Sequence, residues 1–165
     1  MKLVFHKKCV LLALLISAPN YCFSESLTMN VSGKINDRCQ VDFYTGNKID
    51  LSSIKNKSIP MDIYCNRPMI MRFSSSNGGL VMKGREDMEP YLYFLEININ
   101  DLNMSTMNKS DTLINPKEIN SSGVIPFSTS GTIRVTLEEP LLFAGHYEDI
   151  VQIDVFPSIH NISSQ

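Results

Sequence analysis

The sequence predicts an all-β domain, and three observations predict it. Apolar and polar residues alternate with period two across most of the chain after residue 25. Turn residues separate the alternating runs, as in "SSSNGG" at 74–79. No segment carries an apolar stripe at helical spacing. Short strands set between turn signals fit a sandwich or a barrel, and 165 residues suffice for one domain and hardly for two.

The first 24 residues, "MKLVFHKKCVLLALLISAPNYCFS", are expected to be a secretory signal peptide. Lys2, Lys7 and Lys8 lead, an apolar run extends from Cys9 to Ala18, and small and polar residues follow, with cleavage expected after Ser24. An apolar run of about ten residues is half of the roughly 20 that cross a bilayer. "PNYC" lacks the small residues that a lipoprotein site places before its cysteine.

The alternating segments follow in order. In "SLTMNVSGKIN" the odd positions Leu27, Met29, Val31, Gly33 and Ile35 share one side, and the even positions are all polar. "SIPMDIYC" turns Ile59, Met61, Ile63 and Cys65 inward, and "MIMRF" does so with Met69, Met71 and Phe73. "LVMKG", "PYLYFLEININ" and "GTIRVTLEEP" continue the pattern. From Asn100 to Gly123 the chain is polar, rich in Asn and Ser and weakly patterned, so a long loop with one edge strand or a helical turn is expected. The closing strand is expected over Tyr147 to Phe156, with Val151, Ile153 and Val155 inward and Gln152 and Asp154 outward. Only a polar tail, residues 159–165, follows it. A strand inside a sheet needs a neighbour on each side, so the far side of this one lacks an obvious partner in the remaining sequence.

Export gives the cysteines their meaning. Cys9 and Cys22 fall in the signal segment, leaving Cys39 and Cys65 as an even pair in an oxidising compartment, where disulfides persist. The alternative is two free buried thiols. A bridge closing a loop of about 27 residues stabilises a fold by roughly 3.5 kcal/mol on the chain-entropy estimate.

Sets of residues that carry chemistry are missing from the pattern. The formal net charge is −2 and no basic stripe suggests nucleic acid. After the signal segment the histidines are His146 and His160, with no pair at ligand spacing and no Cys-x-x-Cys, so neither a metal nor a cofactor is expected. Met69 and Met71 could be imagined as soft ligands for Cu(I), but two methionines on one strand face read better as core filling. No nucleophile elbow, phosphate loop or dinucleotide fingerprint occurs. Glu148 and Asp149 are adjacent, so on a strand they face opposite ways and cannot act as a facing acid–base pair; Asp149 is expected to bond backbone amides at the start of the strand. Asn-x-Ser/Thr sequons at Asn30, Asn103 and Asn161 are chance products of an Asn- and Ser-rich chain. The chain is not expected to be an enzyme.

Taken together, Cys39 in "VSGKINDRCQVDF", Cys65 closing "IPMDIYC", "YLYFLEI" in mid-chain and "AGHYEDIVQIDV" at the end resemble the spore coat U-type domain, the subunit fold of archaic chaperone–usher pili. The Ala-Gly-x-Tyr-x-Asp motif followed by alternating apolar residues is the most specific part; Lys83 to Gly123 matches poorly, and the penultimate Tyr of type 1-like pilins is absent. The resemblance implies an incomplete immunoglobulin-like sandwich that lacks its last strand, here residues 34–158. The closing strand, through Tyr147, Val151, Ile153 and Val155, would border an open groove. An N-terminal arm, residues 25–33, would donate Leu27, Met29 and Val31 to the next subunit's groove. The implied partners are identical or related pilus subunits, a periplasmic chaperone and an outer-membrane usher, and the implied location is the periplasm and then a cell-surface fimbrium. A single-domain tip or minor subunit that binds a host receptor is the first alternative. A free-standing exported sandwich that binds a ligand is the second, and a small secreted enzyme the third.

Mass spectrometry of unreduced, exported protein is expected to show the Cys39 and Cys65 peptides linked; free thiols at both positions would remove the main argument for an oxidising compartment.

Overall fold

The computed structural model describes residues 26–85, 87–121 and 127–158. The expected signal peptide, with Cys9 and Cys22, and the polar tail lie outside the described residues. The chain divides into two compact units, Met1–Lys34 and Ile35–Gln165. In the first unit, residues 26–34 form no strand, and Leu27, Met29 and Val31 are 96%, 79% and 83% exposed.

The second unit is all-β. Its strands are β1 (Cys39–Phe43), β2 (Asn56–Cys65), β3 (Met69–Ser75), β4 (Val81–Met82), β5 (Tyr93–Ile99), β6 (Met104–Lys109), β7 (Lys117–Asn120), β8 (Phe127–Leu137), β9 (Tyr147–Glu148) and β10 (Val151–Pro157). They form a five-stranded sheet in the order β1-β2-β8-β5-β6, a three-stranded sheet in the order β10-β3-β7, and the small pair β4-β9. Every ladder is antiparallel.

Period two decides which side chains meet. Ile59, Met61 and Ile63 of β2, Tyr93, Leu95, Ile97 and Ile99 of β5, and Ile133, Val135 and Leu137 of β8 point to one face of the large sheet and are buried. Met69, Met71 and Phe73 of β3 are buried in the same core cluster. The alternative partners of these residues (Ser58, Thr132 and Arg134 among them) face water. Gly131 lies opposite Met61 in the β2–β8 ladder. A Cβ there would come within 2.8 Å of Ile99 and Met61 side-chain atoms and 2.9 Å of the Asn98 carbonyl, so only glycine fits between the two neighbouring strands.

Two expectations are corrected. Asn100 to Gly123 is not a long loop: it holds a 3-10 turn (Asn100–Leu102), β6, a second 3-10 turn (Ser110–Ile114) and β7. Its sparse apolar residues Leu102, Met104 and Leu113 are buried, and β6 and β7 are edge strands of the two different sheets. This segment therefore carries the chain from one sheet to the other along one side of the core. The closing strand is not continuous from Tyr147 to Phe156. Tyr147 sits on β9, paired with Met82 of β4, and the chain breaks at Asp149 and Ile150 before β10 begins.

The phase of β10 is as expected, with Val151, Ile153 and Val155 packed on the core, yet all three are only half-buried. Asp154, expected to face outward, is half-buried as well, as is Asp62 on β2. Ile63, 1% exposed, is a fully buried reference for comparison. Chemical denaturation of the isolated protein should show Ile63→Ala costing about 2–5 kcal/mol. Ile153→Ala should cost less than half as much, because its side chain already borders solvent. Equal losses at both positions would mean that β10 is covered as completely as β2.

Candidate functional site: two adjoining sheet edges

Both strands that begin and end the β-rich unit are edge strands. β1 pairs only with β2, and β10 pairs only with β3, among the described residues. The two edges come into contact with each other without a hydrogen-bonded ladder between them.

The register shows what each edge presents. Backbone bonds from Ser76 N–H to the Ile150 carbonyl (2.9 Å) and from Ser158 N–H to the Pro68 carbonyl (2.6 Å) fix the even positions of β10 as those bonded to β3. In an antiparallel ladder such pairs alternate with pairs whose main-chain groups point away. The amides of Val151, Ile153 and Val155 therefore point to the open side. Pro157, at the end of the strand, has no N–H to leave unpaired, the usual place for proline in a sheet. On β1, Asn66 N–H bonds to the Arg38 carbonyl at 3.0 Å, so by the same alternation Cys39, Val41 and Phe43 turn their main-chain groups outward. The side chains of these residues are half-buried against the core. Among the described residues the site is thus a pair of main-chain edges without a ladder partner, flanking a partly covered apolar floor; of the outward groups, the Phe43 carbonyl accepts from Gly46 N–H at 3.3 Å.

The disulfide and its surroundings hold the β1 side. Cys39 and Cys65 are bonded and directly opposite in the β1–β2 ladder, with Cα atoms 4.2 Å apart, the close spacing of a pair without main-chain bonds. The Asn66 side chain accepts from Arg38 N–H and donates to the Asn36 carbonyl, both at 2.8 Å, and Arg67 pairs with Asp37 at 2.8 Å. The chain leading into β1 is thereby fixed from Asn36 onward.

Asp149 holds the β10 side. Its Oδ2 accepts from the Tyr93 and Ser75 hydroxyls, each at 2.6 Å, and its Oδ1 from the Ile150 and Asn77 amides at 2.8 and 3.0 Å. Ser75 Oγ in turn accepts from Gly78 N–H at 2.8 Å. One carboxylate joins the start of β10, the β3–β4 turn and β5. Burial, and then the Asp149 carboxylate, push the Tyr93 phenol far above its ordinary value, so it stays a donor. The rest of the motif is explained nearby. Tyr147 donates to the Phe143 carbonyl at 2.8 Å and meets Tyr91 edge to face at 5.3 Å. A Cβ on Gly145 would lie 2.7 Å from Met82, which β9 brings alongside through β4. Tyr147 thus braces the approach to β10 and does not line the open edge.

No family model matches the chain, and no curated protein matches it.

The remaining sequence candidates are dispersed. Met69 and Met71 are core residues, with Met69 Sδ 3.8 Å from Cys65 Sγ. His146 lies beside Glu148 on the surface. Among the described residues no three His, Cys, Asp or Glu side chains gather as a metal site. A cleft of about 350 Å³ is lined by Glu89, Glu138, Glu139, Tyr91 and apolar neighbours, with Glu138 paired to Lys109. Sequence reasoning missed β1 as an edge strand, although the alternation of Cys39, Val41 and Phe43 was there to find it.

Replacing Asp149 with Ala should cost about 2–3 kcal/mol in urea denaturation, because Tyr93 loses the partner of its buried hydroxyl. Tyr93→Phe should cost about 1 kcal/mol, and the double variant should lose less than the sum, since the two share one network. Strict additivity would show that Asp149 and Tyr93 act independently.

Proposed function

We propose that the protein is a structural subunit of a surface fimbria, assembled by strand donation between copies. Its β-rich unit is then an immunoglobulin-like sandwich short of one strand. The N-terminal segment up to Gly33 is the strand that completes the next copy. The observation that carries this reading is the adjoining pair of free edges on β1 and β10, with Val41, Phe43, Val151, Ile153 and Val155 half-buried between them. An apolar floor beside unpaired main chain invites strand addition and, uncovered, aggregation.

The arm has the matching pattern. Leu27, Met29 and Val31 alternate with Ser26, Thr28 and Asn30, so an added strand would bury one set and leave the other in water. Main-chain bonds along β10 would supply affinity, and the alternate side chains would set register. On this reading a periplasmic chaperone covers the edges first, an outer-membrane usher receives the subunit, and a related subunit's arm replaces the chaperone. A one-domain tip subunit would need Asn100 to Gly123 as a receptor-binding loop, and that segment is largely taken up by β6, β7 and the turn between them. Within the pattern of the resemblance, Asp149, which joins the start of β10 to the β3–β4 turn and β5, supports the subunit reading further.

The test moves the arm. Residues before Ser32 are deleted, and a copy of "ESLTMNVSG" is attached after Ser158 through a short flexible linker. The added strand follows β10 and can turn back beside it in antiparallel pairing. Tethering supplies a high effective concentration, so the strand binds its own domain. A monomer that does not polymerise and melts well above the arm-deleted form is expected. Changing the copied Met and Val to Asp should abolish the gain, because a charge would be buried without a partner. If the arm-deleted chain is unfolded and the transplanted strand does not rescue it, the arm is an ordinary first strand and the proposal fails.

A further inference from the structure

We propose that Met29 is an oxidation site that switches the arm's capacity to complete another copy; the inference rests on the strand-donation reading above. Among the described residues the methionines range from buried to exposed, with Met82 and Met88 half-buried. Met61, Met69, Met71 and Met104 are 0–2% exposed in the core, where an oxidant in solution cannot reach them. Met29 is 79% exposed and stands between Leu27 and Val31 on the apolar side of the arm. It is the only one of those three side chains with oxidisable sulfur. Met107 is also exposed, at 63%, but lies on the outer face of β6, opposite Glu96 and away from the β1 and β10 edges.

The chemistry suits an exported protein meeting a hypohalous acid. The thioether sulfur takes the chlorine of hypochlorous acid, and water then displaces chloride at sulfur. The net change is thioether plus HOCl to sulfoxide plus H⁺ and Cl⁻. Sulfur loses two electrons and chlorine gains two. A flexible apolar side chain becomes a polar one with a strong acceptor oxygen, and reductases specific for the two sulfoxide epimers restore it. Inserted over a floor made of Val41, Phe43, Val151, Ile153 and Val155, that oxygen would meet only hydrocarbon, while the nearby edge amides would be engaged by the arm's own carbonyls. Leu27 and Val31 would be unaffected, so oxidation would weaken donation without removing it.

The test uses the full exported chain, with self-assembly followed by size-exclusion chromatography and light scattering. Hypochlorous acid is titrated, and peptide mapping locates the sulfoxide. Met29 and Met107 should oxidise first and the core methionines last. Assembly should slow by roughly tenfold or more as Met29 converts, because a polar group must be buried unpartnered. Treatment with both sulfoxide reductases should restore the rate. Met29→Leu, compared with its own untreated rate, should be insensitive to the oxidant, whereas Met107→Leu should remain as sensitive as the unmodified chain. Oxidised protein that assembles at the untreated rate, or Met29→Leu that is inhibited like the unmodified chain, would overturn the inference and leave strand donation standing. An untreated chain that never assembles would remove strand donation and this inference together.

Discussion

Main-chain pairing is the constraint on which the rest of this structure depends. Every strand carries one row of N–H and C=O groups on each side, and each row must find a strand or water. In the five-stranded sheet β2, β8 and β5 have both rows satisfied, and most of their inward side chains are fully buried. Among the described residues β1 and β10 have a ladder on one row only, and their inward side chains are half-buried. A neighbouring strand brings its own side chains to cover the flank; on edge strand β6, Met104 is buried without one, on the side where the chain crosses between the sheets. At β1 and β10 the unpaired edge and the incompletely covered floor coincide.

The two flanks of the core are built differently. On one side the chain itself crosses between the sheets, through β6, the turn at Ser110–Ile114 and β7, and Leu113 closes the core there. Ser110 Oγ accepts from Tyr93 N–H at 3.1 Å, tying that crossing to the first residue of β5. On the other side, β1 and β10 meet with no crossing segment between them among the described residues. Both are instead anchored at their ends: β1 by its disulfide to β2 and by Asn66 and Arg67, β10 by Asp149. Anchors at the ends let a strand keep its place while one long edge stays unpaired. The proposed strand-accepting role would require such anchoring.

Much of this was legible in the sequence where the side-chain period decides the answer. The inward sets of β2, β3, β5, β8 and β10 follow from alternation alone. The disulfide was expected from the even pair Cys39 and Cys65, and it lies across β1 and β2. Two features were not legible. Asn100 to Gly123 has few apolar residues, and Leu102, Met104 and Leu113 are spaced for turns and short edges, so no period reveals them. Half-burial at Val151, Ile153 and Val155 cannot be read locally, because a strand's sequence does not record whether a neighbour covers its flank. The break at Asp149 was signalled by the residue type, but its bonds to Tyr93 and Ser75 join positions more than fifty residues apart.

The most direct measurement of the central claim is amide hydrogen exchange along β10, with and without a synthetic peptide of the sequence "ESLTMNVSG". The amides of Gln152, Asp154 and Phe156 face β3 and should be protected in the isolated protein. Those of Val151, Ile153 and Val155 face the open side and should exchange rapidly alone, then become protected when the peptide is added. Slow exchange at Val151, Ile153 and Val155 before any peptide is present, or no change on its addition, would contradict the account.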